Sequence, residues 1–236
     1  MKNTDMAERD THTVRLDDWL RRYDVVEDAV PLFATNNDSI VETETYGYDE
    51  REVLSRSDAM EEMVLEEARN VVDDWENGDD LVDGLIYILL TIDDEDNPVV
   101  RYVGKTGKYG RDGSSLSANL KNLPTNKSKF ARFGSGYAYH IGELSVAALE
   151  HHTDDTVNRS DPPETKYKEW HDALFIDGCQ LQEPVYYWCQ AWETGNNGIH
   201  GLETHLESLE YQVIEAASMS SRHGGMLLNS EGARHN

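Results

Sequence analysis

GLIYILLTIDDEDNPVVRYVG, residues 84–104, joins two apolar runs through a polar turn, and the fold is read outward from it. The run 84–92 is uninterrupted and about half the length of a membrane span, so it reads as a strand buried on both faces. Residues 93–97 form the turn, and Pro98 opens a second strand over 99–104, at the first position where a strand tolerates proline. The pair predicts an antiparallel hairpin. Beyond it, Ser114 or Ser115 can cap a helix carrying Leu116, Leu120 and Leu123 at i, i+4 and i+7. Two further helical stretches, 137–152 and 166–175, flank a polar, proline-containing linker at 154–164. Pro184 opens a third strand over 185–192, and Gly201 leads into a helix over 202–217. The order is β-β-α-α-β-α, an α/β (α+β) class.

Upstream the pattern is different. Met60, Met63, Val64, Ala68, Val71, Val72 and Trp75 recur at helical spacing over 57–75, with carboxylates on the opposite face. A shorter amphipathic stretch covers 16–24, and only a weak strand pattern appears near 40–45. Residues 1–80 therefore read as an acidic, mainly helical N-terminal arm that packs on the main domain or on a protein partner, or self-associates. Residues 81–236 read as the main domain, with an inserted or extended segment around 137–182.

Asp and Glu number 46 against 21 Lys and Arg, a net charge of -25, which in dilute buffer argues against a nucleic-acid partner. The acids run from Asp5 to Glu231 and lysine is scarce, a composition expected of a halophile. At about 1 M salt the Debye length is only about 3 Å, so global repulsion is screened. The first residues carry acids and no apolar core of a signal peptide, which predicts a cytoplasmic protein. Cys179 and Cys189 lack C-x-x-C spacing and predict reduced thiols, and His200 and His205, five apart, predict no zinc site.

One local feature opposes the global charge. Between Arg101 and Arg132 lie eight cations (Arg101, Lys105, Lys108, Arg111, Lys121, Lys127, Lys129, Arg132) against one acid, Asp112, a net of +7. Four glycines, Gly104, Gly107, Gly110 and Gly113, space that window. A phosphate-binding P-loop needs glycine five residues before the GK pair, where Val99 stands, so nucleotide triphosphates are disfavoured. A polyanion-binding face fits better, with loop amides as additional donors.

Leu85-Ile86-Tyr87, fourteen residues, then Tyr102-Val103-Gly104 with Lys105-Thr106 behind resembles the paired signature of the GIY-YIG nucleases. Leu85 stands at the name-giving glycine with Gly84 adjacent, and Val103 replaces isoleucine. The resemblance covers about residues 83 to 236 and implies a small three-stranded antiparallel sheet flanked by helices. It implies a metal-dependent DNA endonuclease using Mg²⁺ or Mn²⁺, with Tyr87 as the first candidate to activate water and Tyr102 close by to orient water or phosphate. Lys105 and Arg111 would lower the phenol pKa, and Arg111, falling at the family's arginine at the first helix start, would hold phosphate. Glu210, in LEYQVI, falls at the metal-binding glutamate of the last helix, with Glu203 as runner-up. Leu228-Asn229 fits the family's closing pair, and Gly104 belongs to the second motif.

Independently, Glu210 sits at the margin of an apolar arc of Leu202, Leu206, Leu209, Val213, Ile214, Ala216 and Ala217, where a carboxylate needs a partner. Lys108, Lys121, Lys127, Lys129 and Arg132 are the expected DNA contacts. The competing expectation is the same fold with decayed chemistry, binding nucleic acid without cutting it.

Overall fold

The computed structural model describes residues 2–36, 39–46, 50–123, 133, 140–149 and 165–229. Its helices are α1 (Lys2–Arg22), α2 (Asp58–Asn77), α3 (Ala118–Lys121), α4 (His140–Ala148), α5 (Thr165–Leu174) and α6 (Leu206–Met219). The strands are β1 (Val30–Pro31), β2 (Thr35–Asn36), β3 (Ile40–Val41), β4 (Thr43–Tyr46), β5 (Arg51–Leu54), β6 (Val82–Ile92), β7 (Pro98–Gly107), β8 (Phe175–Asp177), β9 (Gln180–Leu181) and β10 (Tyr186–Glu193).

The central sheet runs β1-β10-β6-β7 and is antiparallel at each pairing. The hairpin of 84–104 is present as β6 and β7, with β10 on the other side of β6. The expected three strands are corrected to four: β1 adds Val30 opposite Tyr187 and Pro31 opposite Tyr186. Proline cannot donate to a ladder, so Pro31 suits the outermost position. Two smaller sheets, β2-β3-β9-β8 and β4-β5, complete the strands.

Alternation along β6 splits the interior into two cores. Leu85, Tyr87 and Leu89 face a core containing the α2 stripe Met60, Val64, Ala68 and Val71, together with Ile141 and Leu144 of α4 and Trp170 of α5. Ile86, Ile88 and Leu90 face a second core with Leu16, Trp19 and Leu20 of α1 and Leu209, Val213 and Ile214 of α6. Helices therefore cover both faces of the sheet. Each fully buried aliphatic side chain contributes about 1.5–3 kcal/mol relative to exposure. Residues 2–78 supply a helix to each face, with Leu16, Trp19 and Leu20 of α1 and Met60, Val64, Ala68 and Val71 of α2 buried within this chain.

Local chemistry fixes the ends. Ser57 Oγ accepts from the Met60 amide at 3.0 Å to start α2, and Gly78 at φ 72° closes it. α6 begins at Leu206, four residues after the expected start, because Gly201 turns at φ 73° and Leu202 stays 71% exposed in the loop. Its N-terminus is capped from a distance: Asp83 Oδ2 accepts from the Leu206 amide at 3.0 Å. The helix expected after Ser114 or Ser115 is a single turn, capped instead by Ser117. Ser114 and Ser115 are held by Asp112, whose carboxylate accepts both backbone amides and the Ser115 hydroxyl. Those bonds depress the Asp112 pKa to about 2, the Ser115 side chain contributing most.

Candidate functional site

The two motifs lie side by side. Tyr87 of β6 is directly opposite Gly104 of β7, and Leu89 is opposite Tyr102, so Tyr87 and Tyr102 share the face packed by α2, α4 and α5. Gly104 is sterically required there. A Cβ at residue 104 would lie 2.5 Å from two ring carbons of Tyr87 and 2.6 Å from its hydroxyl. Tyr87 is 1% exposed and packs against Tyr102, Phe133 and Tyr187, with ring centroids 6.3, 5.4 and 6.1 Å away. Bulk water does not reach its ring.

Tyr102 has polar neighbours that its sequence context does not announce. Its hydroxyl is 3.2 Å from His140 Nε2, and His140 Nδ1 is 2.9 Å from the Tyr167 hydroxyl. A neutral imidazole has one donor and one acceptor, so one of the two phenols donates to His140 and the other accepts from it. Trp170 packs on Tyr102 at 4.8 Å and on His140 at 5.0 Å. The Lys166 ammonium stands 5.6 Å from the rings of Tyr102 and Tyr167 and 5.3 Å from Trp170, within cation–π range of all three.

Lys105 and Glu210 meet on the opposite face. Lys105 Nζ lies 2.8 Å from Glu210 Oε2 and 3.7 Å from Glu207 Oε1, and 5.7 Å above the ring of Tyr211. Partial burial lowers the Lys105 pKa, but the hydrogen bond and charge of Glu210, with the charge of Glu207, outweigh it and raise the pKa. The carboxylate at the edge of the apolar arc thus has a partner within the chain. Glu203 is in the loop before α6, outside this contact.

The structure places Arg111 in the exposed turn after β7, seven residues before α3 begins, rather than at a helix start. The turn is pinned by Gly110 N to Ser115 O and Ser117 N to Lys108 O, each 2.8 Å. Asn229 is held on β7: its Oδ1 accepts from Val103 N at 2.9 Å and its Nδ2 donates to Val103 O at 2.8 Å. With the Leu228 amide on Arg101 O and His223 Nδ1 accepting from Val100 N, it covers the outer edge of β7.

Three of the window's five described cations, Arg101, Lys105 and Lys108, are paired with carboxylates. Arg101 is buried and paired with Glu183, its Nε donating to Thr91 Oγ1 at 3.0 Å. Lys108, expected as a DNA contact, is 2% exposed and bonded to Asp74 and Asp80. Burial opposes its charge, but Asp74 and Asp80 hold its pKa well above the ordinary lysine value. Asp74, also buried, takes the Leu81 amide at 2.8 Å and stays below the usual carboxylate range: desolvation raises it, but the bond and charge of Lys108 with the Leu81 and Val82 amides together outweigh that. Arg111 and Lys121 are exposed. Lys127, Lys129 and Arg132 lie outside the described residues.

The structure therefore brings together Tyr87, Tyr102 and Gly104 on one face and Lys105 with Glu210 on the other. Sequence reading missed His140, Lys166, Tyr167 and Trp170. A histidine opening an apolar helix and the KYKEW cluster were the available signals, and neither specifies a partner. Among the described residues no group of three or more His, Cys, Asp or Glu is arranged to hold a metal ion. Cys179 and Cys189 are free thiols, and no helix among the described residues is long and apolar enough to cross a membrane.

Compared with protein-family models, curated proteins and solved structures, the chain has no match. The likeness to GIY-YIG nucleases rests on the motif residues and their placement.

Proposed function

We propose that the chain is a GIY-YIG-type endonuclease that hydrolyses DNA phosphodiester bonds with the help of a divalent metal ion. The carrying observation is that the second motif strand bears both Tyr102, bonded to His140, and Lys105, bonded to Glu210 of the last helix. β7 is the outermost strand of its sheet, and its outer edge is bonded to His223, Leu228 and Asn229.

Tyr102, partly exposed, is better placed than Tyr87 to meet water. In this reading Tyr102 passes its proton to His140 Nε2 and takes one from the attacking water. Lys105 offsets charge on the phosphate, and Arg111, exposed on the neighbouring turn, supplies a planar fork for a non-bridging oxygen. Hard carboxylate oxygens suit Mg²⁺ or Mn²⁺, which binds through one or two carboxylates with water and phosphate oxygens. Glu210 and Glu207 would hold it. Bound there, the ion would neutralise phosphate charge and acidify water.

The second reading, a nucleic-acid-binding module with decayed chemistry, is favoured by the burial of Tyr87 and by the separation of the phenols from Glu210 across the sheet. Incubating supercoiled, linear and branched DNA with the protein in strong KCl, while titrating Mg²⁺ and Mn²⁺, separates the two. Metal-dependent nicking supports the nuclease; binding without turnover on all substrates supports the module.

A further inference from the structure

A cavity of about 300 Å³ lies between the C-terminal half of α1 and the turn at 199–201, on the face of the sheet away from Tyr102. Arg15 and Arg22, seven residues apart and so on one side of the helix, line it with His200. Asp18 also lines it, but that carboxylate is bonded to Arg21 at 2.8 Å. Trp19 and Ile199 give it an apolar floor. The wall is braced: Trp19 Nε1 donates to Asn197 O, and the Tyr23 hydroxyl donates to the same oxygen at 2.8 Å. No carboxylate among the described residues pairs with Arg15 or Arg22, in a chain whose net charge is -25. The lining thus carries two guanidinium groups against the one carboxylate of Asp18, a local excess of positive charge that favours an anion.

We infer that this cavity binds a small phosphate monoester, its phosphate held by Arg15 and Arg22 and its organic group resting on Trp19 and Ile199. The charge favours a monoester: a dianion can take both guanidinium groups, whose forks match the phosphate oxygens. The volume stands at the lower end for ligand pockets, which favours a compact group. The site is independent of the proposed cutting of DNA, because no residue of the one belongs to the other.

The test is thermal unfolding of the full chain in strong KCl with added inorganic phosphate, phenyl phosphate, dimethyl phosphate or further KCl at matched ionic strength. A ligand that binds only the folded state raises the melting temperature in a concentration-dependent way. Inorganic and phenyl phosphate are expected to raise it beyond the KCl control, phenyl phosphate more, with no such rise from the monoanionic diester. R15M/R22M, altered at exposed positions, is expected to melt as the wild type does without ligand and to lose the response. Should the double variant fold poorly, R15M and R22M singly are each expected to bind phosphate about tenfold more weakly, the cost of one charge-assisted contact. No rise in the wild type, an equal rise with dimethyl phosphate, or an undiminished rise in these variants would overturn the inference.

Discussion

Gly104 faces Tyr87 so closely that a methyl group at residue 104 would occupy the same space as the phenol ring, 2.5 Å from its carbons. The glycine of the second motif is thus a packing partner of the tyrosine of the first. Gly104→Ala must displace a ring enclosed by Phe133 and Tyr187, an overpacking that costs about 1–3 kcal/mol. Urea unfolding in strong KCl measures it. Y87A/G104A, with the ring gone, should show no added cost from the alanine at 104.

Lys108 is a structural cation. Lys108→Met leaves the buried Asp74 carboxylate without its ammonium partner and should destabilise the chain by about 3–5 kcal/mol. K108M/D74L removes both charges and should recover part of that loss. Equal stability of K108M and wild type would show that the pair contributes nothing.

The same pair predicts the pH limits of stability. Asp74 and Asp17 are held below the ordinary carboxylate value, Asp17 because His223 and Arg222 outweigh desolvation. Their contribution is complete above the unfolded value near pH 3.9 and is lost as pH falls through the lower folded values. Lys108 is raised, so its contribution is complete below about pH 10.4 and lost as pH rises through its folded value. Urea midpoints measured from pH 2 to 12 should decline at both ends, and Asp74→Asn should flatten both declines.

DNA binding, where it occurs, should draw on Arg111 and Lys121 and not on the buried cations. R111A/K121A is expected to reduce the slope of log K against log salt by about 2, one unit per phosphate contact. Fluorescence anisotropy over a KCl series reads it. An unchanged slope would remove both residues from the interface.

Tyr102→Phe removes the hydroxyl that meets His140 while keeping the ring between Trp170 and Tyr87. Nicking should fall about 10²–10⁴-fold with DNA affinity unchanged, the usual effect of losing a proton-transfer group. Tyr87→Phe should cut within a few-fold of wild type. The reverse ranking would return the role to Tyr87.

What the sequence discloses is what local spacing controls. The hairpin was legible because a nine-residue run without a charge, a polar turn and Pro98 leave few alternatives, and the α2 stripe because its period is helical. β1 was not, since two residues ending in Pro31 carry no strand pattern. The start of α6 was misplaced because its cap, Asp83, lies 123 positions upstream. The pairing of three cations of the 101–132 window was hidden for a similar reason. Arg101, Lys105 and Lys108 are neighbours along β7 and its end, but each finds its carboxylate on a distant element, and no count of nearby residues shows that. The relay through His140 to Tyr167 likewise joins positions 38 and 27 apart from two ends.

The proposed function requires Glu210 and Lys105 to serve cutting chemistry beside β7. Its most direct measurement is the nicking rate of supercoiled DNA in strong KCl across a Mn²⁺ titration, for wild type and Glu210→Gln. The account predicts metal-dependent nicking that the substitution abolishes while DNA binding and thermal midpoint persist. Nicking that survives Glu210→Gln at the wild-type rate and metal dependence would contradict it.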